Sequence, residues 1–336
     1  MMQISPEIQL FIREHSSDDV RVLALQAKKY PDIDMPTVIT QIAGRKVAAE
    51  KIPSWWEIEK IWYPKHLSLE QCSSEITARY KARLLQGDSL TDLTGGFGID
   101  CSFLATGFKS ATYVERQEEL CEIAAHNFPV LNLNHINIKN EDGVTYLQAM
   151  SPVDCLFLDP ARRNEHGGKT VAISDCEPNV AELEELLLQK ANRVMIKLSP
   201  MLDLSLALKE LKQTQEVHIL SVNNECKELL ILLGQTSPAE ISIHCVNLFT
   251  KGTQKEQHFV FTREQEQCSE CTYTDSLETY LYEPNASLLK AGAFRSIAAA
   301  YPVRKLHPNS HLYTSDTFIE NFPGRIFRIV NQCSFN

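Results

Sequence analysis

The sequence predicts an α/β fold, a doubly wound parallel sheet with an antiparallel final strand, between a helical N-terminal region and a small C-terminal α+β domain. Three observations carry that reading. Short apolar runs alternate with helical segments from Ser89 to about Gly234, the pattern of parallel strands covered on both faces. Before Ser89 the apolar residues recur only at helical spacing. After Gln235 the alternation stops, and short strands follow one another around one apolar helical stretch, Ala286 to Ala300. The boundaries are set at residues 1–66, 67–235 and 236–336.

In the N-terminal region Val20, Leu23, Ala24 and Ala27 follow a spacing of three and four, and Asp18 is placed to cap that helix. Pro31 and Pro36 interrupt, Thr37 caps the next helix, and Pro53 ends it. The aromatic group Trp55, Trp56, Trp62 and Tyr63 reads as a packing seam rather than a platform for stacked bases. A further helix runs from Ser68, its cap, to Leu85.

In the central region strands are expected at 89–93, 111–114, 134–138, 153–158, 193–198, 216–221 and 229–233, with helices between the first six. The link from Val222 to Glu228 is too short for a helical crossover, so the last strand must run antiparallel. In the third region, Ile241–Phe249 with His258–Thr262 reads as a hairpin of the small domain, Tyr280–Tyr282 as a short strand and Arg325–Val330 as the closing one.

Composition narrows the class. The 336 residues are 43% hydrophobic, carry a net charge of −10, and contain no run near the roughly 20 apolar residues that span a bilayer. The start, Met1 to Glu7, lacks the basic and apolar pattern of a secretory signal, which points to the cytoplasm. Ten scattered cysteines, several inside apolar runs, suit reduced thiols. Cys268 and Cys271 form the one close pair, with no second pair at ligand spacing, so no metal is expected. The acidic balance argues against a chain coated in positive charge. Between Pro284 and Val330, however, Lys290, Arg295, Arg304, Lys305, Arg325 and Arg328 face only Asp316 and Glu320.

The chemistry concentrates at the ends of the expected strands. A strand ending in Asp92 turns through Thr94-Gly95-Gly96-Phe97-Gly98 into a helix, a turn in which glycine lets backbone approach a ligand. No Gly-Lys-Ser/Thr ending follows, and Cys101 stands where a dinucleotide fingerprint has its third glycine. A neutral turn behind an acidic residue suits a ligand with an ammonium group and no pyrophosphate, such as S-adenosylmethionine. Glu115 closes the second strand, where a carboxylate accepts from ribose hydroxyls. Asp142, beside Glu141, follows the third. The fourth strand delivers Asp159-Pro160-Ala161-Arg162-Arg163. There Asp159 takes a hydrogen bond or proton from an acceptor, Pro160 stiffens the loop, and Arg162 and Arg163 hold a phosphate or carboxylate. Lys197, closing the fifth strand, is a further substrate contact, although a lysine there is more often a solvated end.

Asp92 to Asp100 resembles motif I of the class I methyltransferases, and Asp159 to Arg162 resembles their motif IV, in the Asp-Pro-Pro-Tyr and Asp-Pro-Pro-Arg forms of nucleic-acid enzymes. Arg162 stands where amino methylation of a flipped base uses an aromatic ring. The region after the fifth strand, Lys197 to Met201, lacks the thiol that C5-uridine chemistry requires. The chain as a whole is similar to a bacterial family of THUMP-like class I methyltransferases. The similarity lies in Gln41 to Lys46, Glu70 to Lys81, the two motifs, Lys197 to Asp203, Leu312 to Ser315 and Phe322 to Arg325. The resemblance implies a Rossmann-like methyltransferase core, S-adenosylmethionine as cofactor with Asp142, preferred over Glu141, taking its adenine amino group, a ferredoxin-like C-terminal domain, and tRNA or rRNA as substrate, met by the basic C-terminal surface. The chain stops at Asn336, so the THUMP-like module is expected to be missing. A protein or small-molecule acceptor, or a degenerate RNA-binding protein, are the other readings.

Overall fold

The computed structural model describes residues 4–162, 172–236 and 238–333. The chain forms two compact units, Met1–Leu158 with Gln189–Ala191 and Asp159–Leu188 with Asn192–Asn336.

The first unit opens with six helices: α1 (Pro6–Glu14), α2 (Val20–Leu25), α3 (Met35–Lys51), α4 (Pro53–Trp56), α5 (His66–Gln71) and α6 (Glu75–Ala82). Phe11, Leu23, Met35, Val38 and Ile42 bury the apolar stripes of α1 to α3 in one cluster. The caps differ from the expected ones by a short step. Asp19, not Asp18, caps α2 by accepting from Arg21 N at 2.8 Å. Asp34 caps α3 and accepts from Thr37 N, so the expected cap is the donor instead. The helix expected over 68–85 is two helices, broken at Cys72 to Ser74, because Ser73 is drawn into a buried contact described below.

The Gln41 to Lys46 segment has an architectural role. Gln41 pairs with the backbone of Tyr63 through two 2.9 Å hydrogen bonds, as a strand neighbour would. Asn127 does the same for Trp62. Gly44 leaves room for Tyr63, whose Cβ lies 2.3 Å from where a side chain would begin. Trp55 and Tyr63 are buried as the packing seam requires, while Trp56 is exposed beside Arg45.

Four parallel strands follow: β1 (Ser89–Asp92), β2 (Ser110–Glu115), β3 (Ile136–Asn140) and β4 (Val153–Leu158), in the order β4-β1-β2-β3. Between them lie α7 (Ile99–Ala105), α8 (Glu118–Val130) and α9 (Gly143–Ala149). Every residue of α7 is buried, and Ile99 and Phe103 pack with Trp55, Tyr63 and Leu69 of the N-terminal region. Within this contact Lys81, fully buried, meets Asp100 Oδ1 at 2.9 Å. Ser73 Oγ donates to Asp100 Oδ2 at 2.7 Å and accepts from Lys81 Nζ at 2.8 Å.

In the second unit β5 (Ala161–Arg162) pairs antiparallel with β6 (Cys176–Glu177), and α10 (Val180–Lys190) follows. Next come β7 (Ala191–Leu198), α11 (Leu204–Glu210), β8 (Thr214–Val222), β9 (Glu225–Gly234), β10 (Ser242–Leu248) and β11 (Glu256–Thr262), the strands ordered β7-β9-β8-β10-β11. As expected, β9 runs antiparallel to both its neighbours. Asn223 and Asn224, both with positive φ, make the tight turn from β8 to β9. The hairpin β10-β11 extends this sheet rather than the small domain, since β10 pairs parallel with β8 over seven residues. Sequence periodicity marks a hairpin but not the edge it joins.

Beyond α12 (Arg263–Cys268), four antiparallel strands form the order β13-β14-β12-β15. They are β12 (Tyr280–Pro284), β13 (Arg304–Lys305), β14 (Tyr313–Ser315) and β15 (Gly324–Arg328). The single helix expected over 286–300 is split into α13 (Ala286–Ala291) and α14 (Phe294–Ala300) by Gly292, whose φ of +76° ends the first. All ten cysteines are free thiols, and no helix among the described residues is long and apolar enough to cross a membrane.

The buried ion pair yields a stability test. Lys81→Met strands the Asp100 carboxylate in the interior, and urea denaturation should show a loss of about 3–5 kcal/mol. Combining it with Asp100→Leu should recover most of that loss. Equal stability of the single variant and the wild type would show that the pair does not organise this contact.

Candidate active site

In the first unit three consecutive strand ends converge through backbone and glycine. Asp92, the last residue of β1, is 1% exposed, and its Oδ1 accepts from Thr94 N at 2.9 Å, which bends the chain out of the strand. Gly95 N donates to Val114 O at 2.8 Å, laying the turn across the end of β2. A side chain at Gly95 would start 2.2 Å from the Tyr113 ring. Tyr113 is itself pinned, its hydroxyl donating to Gly96 O at 2.5 Å. Gly96 and Gly98 have φ of +54° and +86°, a region that strongly favours glycine. At Gly96 the nearest atom to an added Cβ is 3.8 Å away, so this stretch of backbone is open to close approach.

Glu115 ties the ends together. Its buried carboxylate accepts from Gly96 N at 2.9 Å through Oε2 and from Gln117 N at 2.8 Å through Oε1. Its carbonyl accepts from Glu141 N at 3.1 Å, which brings in the loop after β3. Two carboxylate oxygens offer about four acceptor positions, so accepting from these two amides leaves capacity for hydroxyl donors. At Gly143 a Cβ would lie 2.2 Å from Leu93 O, so the start of α9 presses on the glycine turn. Asp142 is exposed and caps α9, its Oδ1 accepting from Val144 N and Thr145 N, both at 3.0 Å.

Phe97, one of the predicted cofactor contacts, turns its ring into the core, 5.2 Å from Trp55 in an edge-on contact. Only its backbone remains on the turn. Tyr113, Gln117 and Gly143 were not singled out in the sequence. The first lies inside an apolar strand, and the others act through backbone, so no residue-type signal marks them.

In the second unit Asp159, the residue after β4, meets Lys197 of β7, Nζ to Oδ2 at 2.6 Å. The lysine side chain is 8% exposed and the aspartate 37%. Lys197 is therefore a buried partner of the candidate catalytic carboxylate, not a solvated strand end. Pro160 is buried behind it. Arg162 lies in β5, its backbone opposite Cys176, and Arg163 falls outside the described residues. Burial pushes the Cys226 thiol up to about 11, and burial together with Asp92 and Asp100 holds Cys101 well above the ordinary range, so neither of these two is poised as a nucleophile.

The basic C-terminal stretch is less basic than its composition. Lys305 is 4% exposed and donates to Pro308 O, while Arg304 and Arg325 pair with Glu278 and Glu283, acidic residues just outside the stretch. Arg295 and Arg328 remain on the surface.

A ferredoxin-like domain model matches residues 280–323, which hold β12, β13 and β14 of the four-stranded antiparallel sheet and end just before β15. The crystal structure of a protein assigned as a methyltransferase from Porphyromonas gingivalis W83 is 36% identical, with a TM-score of 0.84. The match spans 97% of this chain and 81% of that one. The chain belongs to the family of that protein. Smaller parts, 47% and 48% of the chain, superpose on an rRNA methylase from Streptococcus thermophilus and on a Streptococcus mutans protein solved with SAH. Both are 14% identical, with TM-scores of 0.35 and 0.34, and cover 93% and 96% of those chains. At such scores they carry no weight here. No curated protein matches the sequence.

Glu115 can be tested without any ligand. In Glu115→Gln one of the two oxygens becomes an NH2 group facing a backbone N–H donor, so one buried amide loses its acceptor. Urea denaturation should show a loss of about 1–3 kcal/mol. Gly95→Ala, set against a ring that is held at its hydroxyl, should cost a similar amount or more. Wild-type stability in both variants would mean that the turn is not held in this way.

Proposed function

We propose that the protein is a cytoplasmic S-adenosylmethionine-dependent methyltransferase acting on RNA. The observation that carries the cofactor reading is the glycine turn bound to the Glu115 carboxylate. Open backbone at Gly96 and a buried carboxylate with acceptor capacity to spare fit a nucleoside with a ribose diol and no pyrophosphate. On this reading Asp92, Thr94, Gly95, Gly96 and Gly98 line the donor, joined by the backbone of Phe97. Glu115 accepts from the ribose hydroxyls, and Asp142 takes the adenine amino group. The cofactor, when bound, supplies an electrophilic methyl group.

Asp159 then accepts a hydrogen bond or proton from the acceptor nucleophile. Lys197 holds its carboxylate in place, and Pro160 limits the loop. Arg162 and Arg163 contact the substrate's phosphate or another acidic group. RNA is supported by the likeness of Asp159 to Arg162 to the nucleic-acid form of that motif, by the THUMP-like resemblance, and by exposed Arg295 and Arg328. A protein or small-molecule acceptor is favoured by the ion pairing of Arg304 and Arg325 and by the net charge of −10. The free state of every cysteine suits a reducing compartment.

Calorimetry should show S-adenosylmethionine binding to the wild type, weakened at least about tenfold in Glu115→Ala, one lost charge-assisted contact being worth about 1.5–3 kcal/mol. Absence of binding to intact protein removes the cofactor reading. Transfer of labelled methyl to total RNA should fall about 10²–10⁴-fold in Asp159→Asn while cofactor affinity is kept. Label entering only a protein extract or a metabolite pool would remove RNA as the acceptor.

A further inference from the structure

In the second unit the adjacent strands β8, β10 and β11 bring three imidazoles together on one face of the sheet. His218 and His244 are direct partners in the parallel register, their rings stacked with centroids 4.3 Å apart. His258 lies one diagonal step away on β11, its Nε2 3.1 Å from His244 Nδ1. Glu216, two residues before His218 and so on the same face, brings Oε2 within 3.2 Å of His218 Nε2. One ligand atom from each of Glu216, His218 and His244 lies within 4.8 Å of the others.

We propose that Glu216, His218 and His244, with His258, form a binding site for a divalent transition-metal ion of the zinc type, clamping the β10-β11 hairpin to β8. The close pairs at 3.1 and 3.2 Å are near the roughly 3.3 Å edge of a tetrahedron whose ligands stand about 2.0–2.1 Å from the ion. Imidazole nitrogens with one carboxylate oxygen are the donor set that suits zinc, cobalt or nickel. Three clustered imidazoles repel when protonated. A metal ion would bind them in their unprotonated form and remove that repulsion. Arg193 adds the outer partner usual for a ligating carboxylate: its Nη2 holds Glu216 Oε1 at 3.0 Å and leaves Oε2 for the site. The ligands come from three strands that converge only in the fold, which is why cysteine and histidine spacing in the sequence points to no metal.

The test is a Co2+ and Zn2+ titration of the full chain after treatment with a chelator. The expected result is one equivalent bound, with the intense visible bands of four-coordinate cobalt and no thiolate charge-transfer band. Zinc in hundredfold excess over its Kd should also raise Tm by a few degrees. Loss of a partner outside the coordination sphere costs about 10–100-fold in affinity, so His244→Gln should lose at least about 100-fold. His258→Ala, at an exposed position that the fold does not need, should lose about tenfold or more. Unchanged affinity in both variants, a thiolate band, or no binding by the wild type would overturn the proposal and leave a hydrogen-bonded imidazole stack. If His244→Gln fails to fold, the wild-type stoichiometry and spectrum together with His258→Ala still decide the question.

Discussion

A single buried carboxylate organises the first unit around its strand ends. Glu115 sits at the end of β2, where it accepts from Gly96 N on one side and Gln117 N on the other. Without those amides it would be a charged group 8% exposed with little to compensate its lost hydration. Without the carboxylate, two amide donors would lose their acceptor, and the turn after β1 would be held over β2 only by Gly95 N on Val114 O and the Tyr113 hydroxyl on Gly96 O. The glycines follow from this. Gly95 must lie flat on the Tyr113 ring, and Gly96 must take a positive φ to aim its N–H at Glu115. Gly143 then lets the loop after β3 close against Leu93 O.

The N-terminal helices supply the other half of the support. Helix α7, which carries the turn into the interior, is buried along its whole length, so it needs a cover on the side away from the sheet. That cover is the seam of Trp55, Tyr63 and Leu69, joined by the Lys81, Asp100 and Ser73 contact. The segments that carry the family resemblance, Gln41 to Lys46 and Glu70 to Lys81, thus act through architecture. Gln41 and Gly44 seat Tyr63, and Ser73 and Lys81 hold the first turn of α7. Functional motifs and supporting motifs look alike in a sequence, since both are runs of specific residues. Only contacts separate them.

The strands were legible because each is a short apolar run bounded by polar residues, and the fold places all seven expected in the central region near their expected positions. Helix ends were less so, because capping depends on which of two neighbouring polar residues has the extended backbone: Asp19 over Asp18, Asp34 over Thr37. The partner of a hairpin edge was not legible at all, as β10 on β8 shows. At the candidate site Asp92, Glu115 and Asp142 could be named from their position after strands. Yet the same rule could not tell that Asp142 is engaged as a helix cap, or that Phe97 faces the core. Charge was misjudged for a related reason. A window that begins at Pro284 counts Arg304 and Arg325 and omits Glu278 and Glu283, which pair with them.

The two candidate carboxylates are built for different work, and their surroundings say so. Glu115 is held at both oxygens by backbone amides that cannot move without unmaking the turn. A group fixed in that way suits recognition, where a constant geometry is the requirement. Asp159 is more than a third exposed and pairs with the ammonium of Lys197, itself almost wholly buried. A carboxylate with an exposed side suits a group that must exchange hydrogen-bond partners as an acceptor arrives and leaves. The buried lysine resists withdrawal of the carboxylate from its station, while the carboxylate's exposed side stays open to solvent. Amide anchoring of one carboxylate and partial exposure of the other are the physical difference on which the proposed roles, donor recognition by Glu115 and reaction at Asp159, rest.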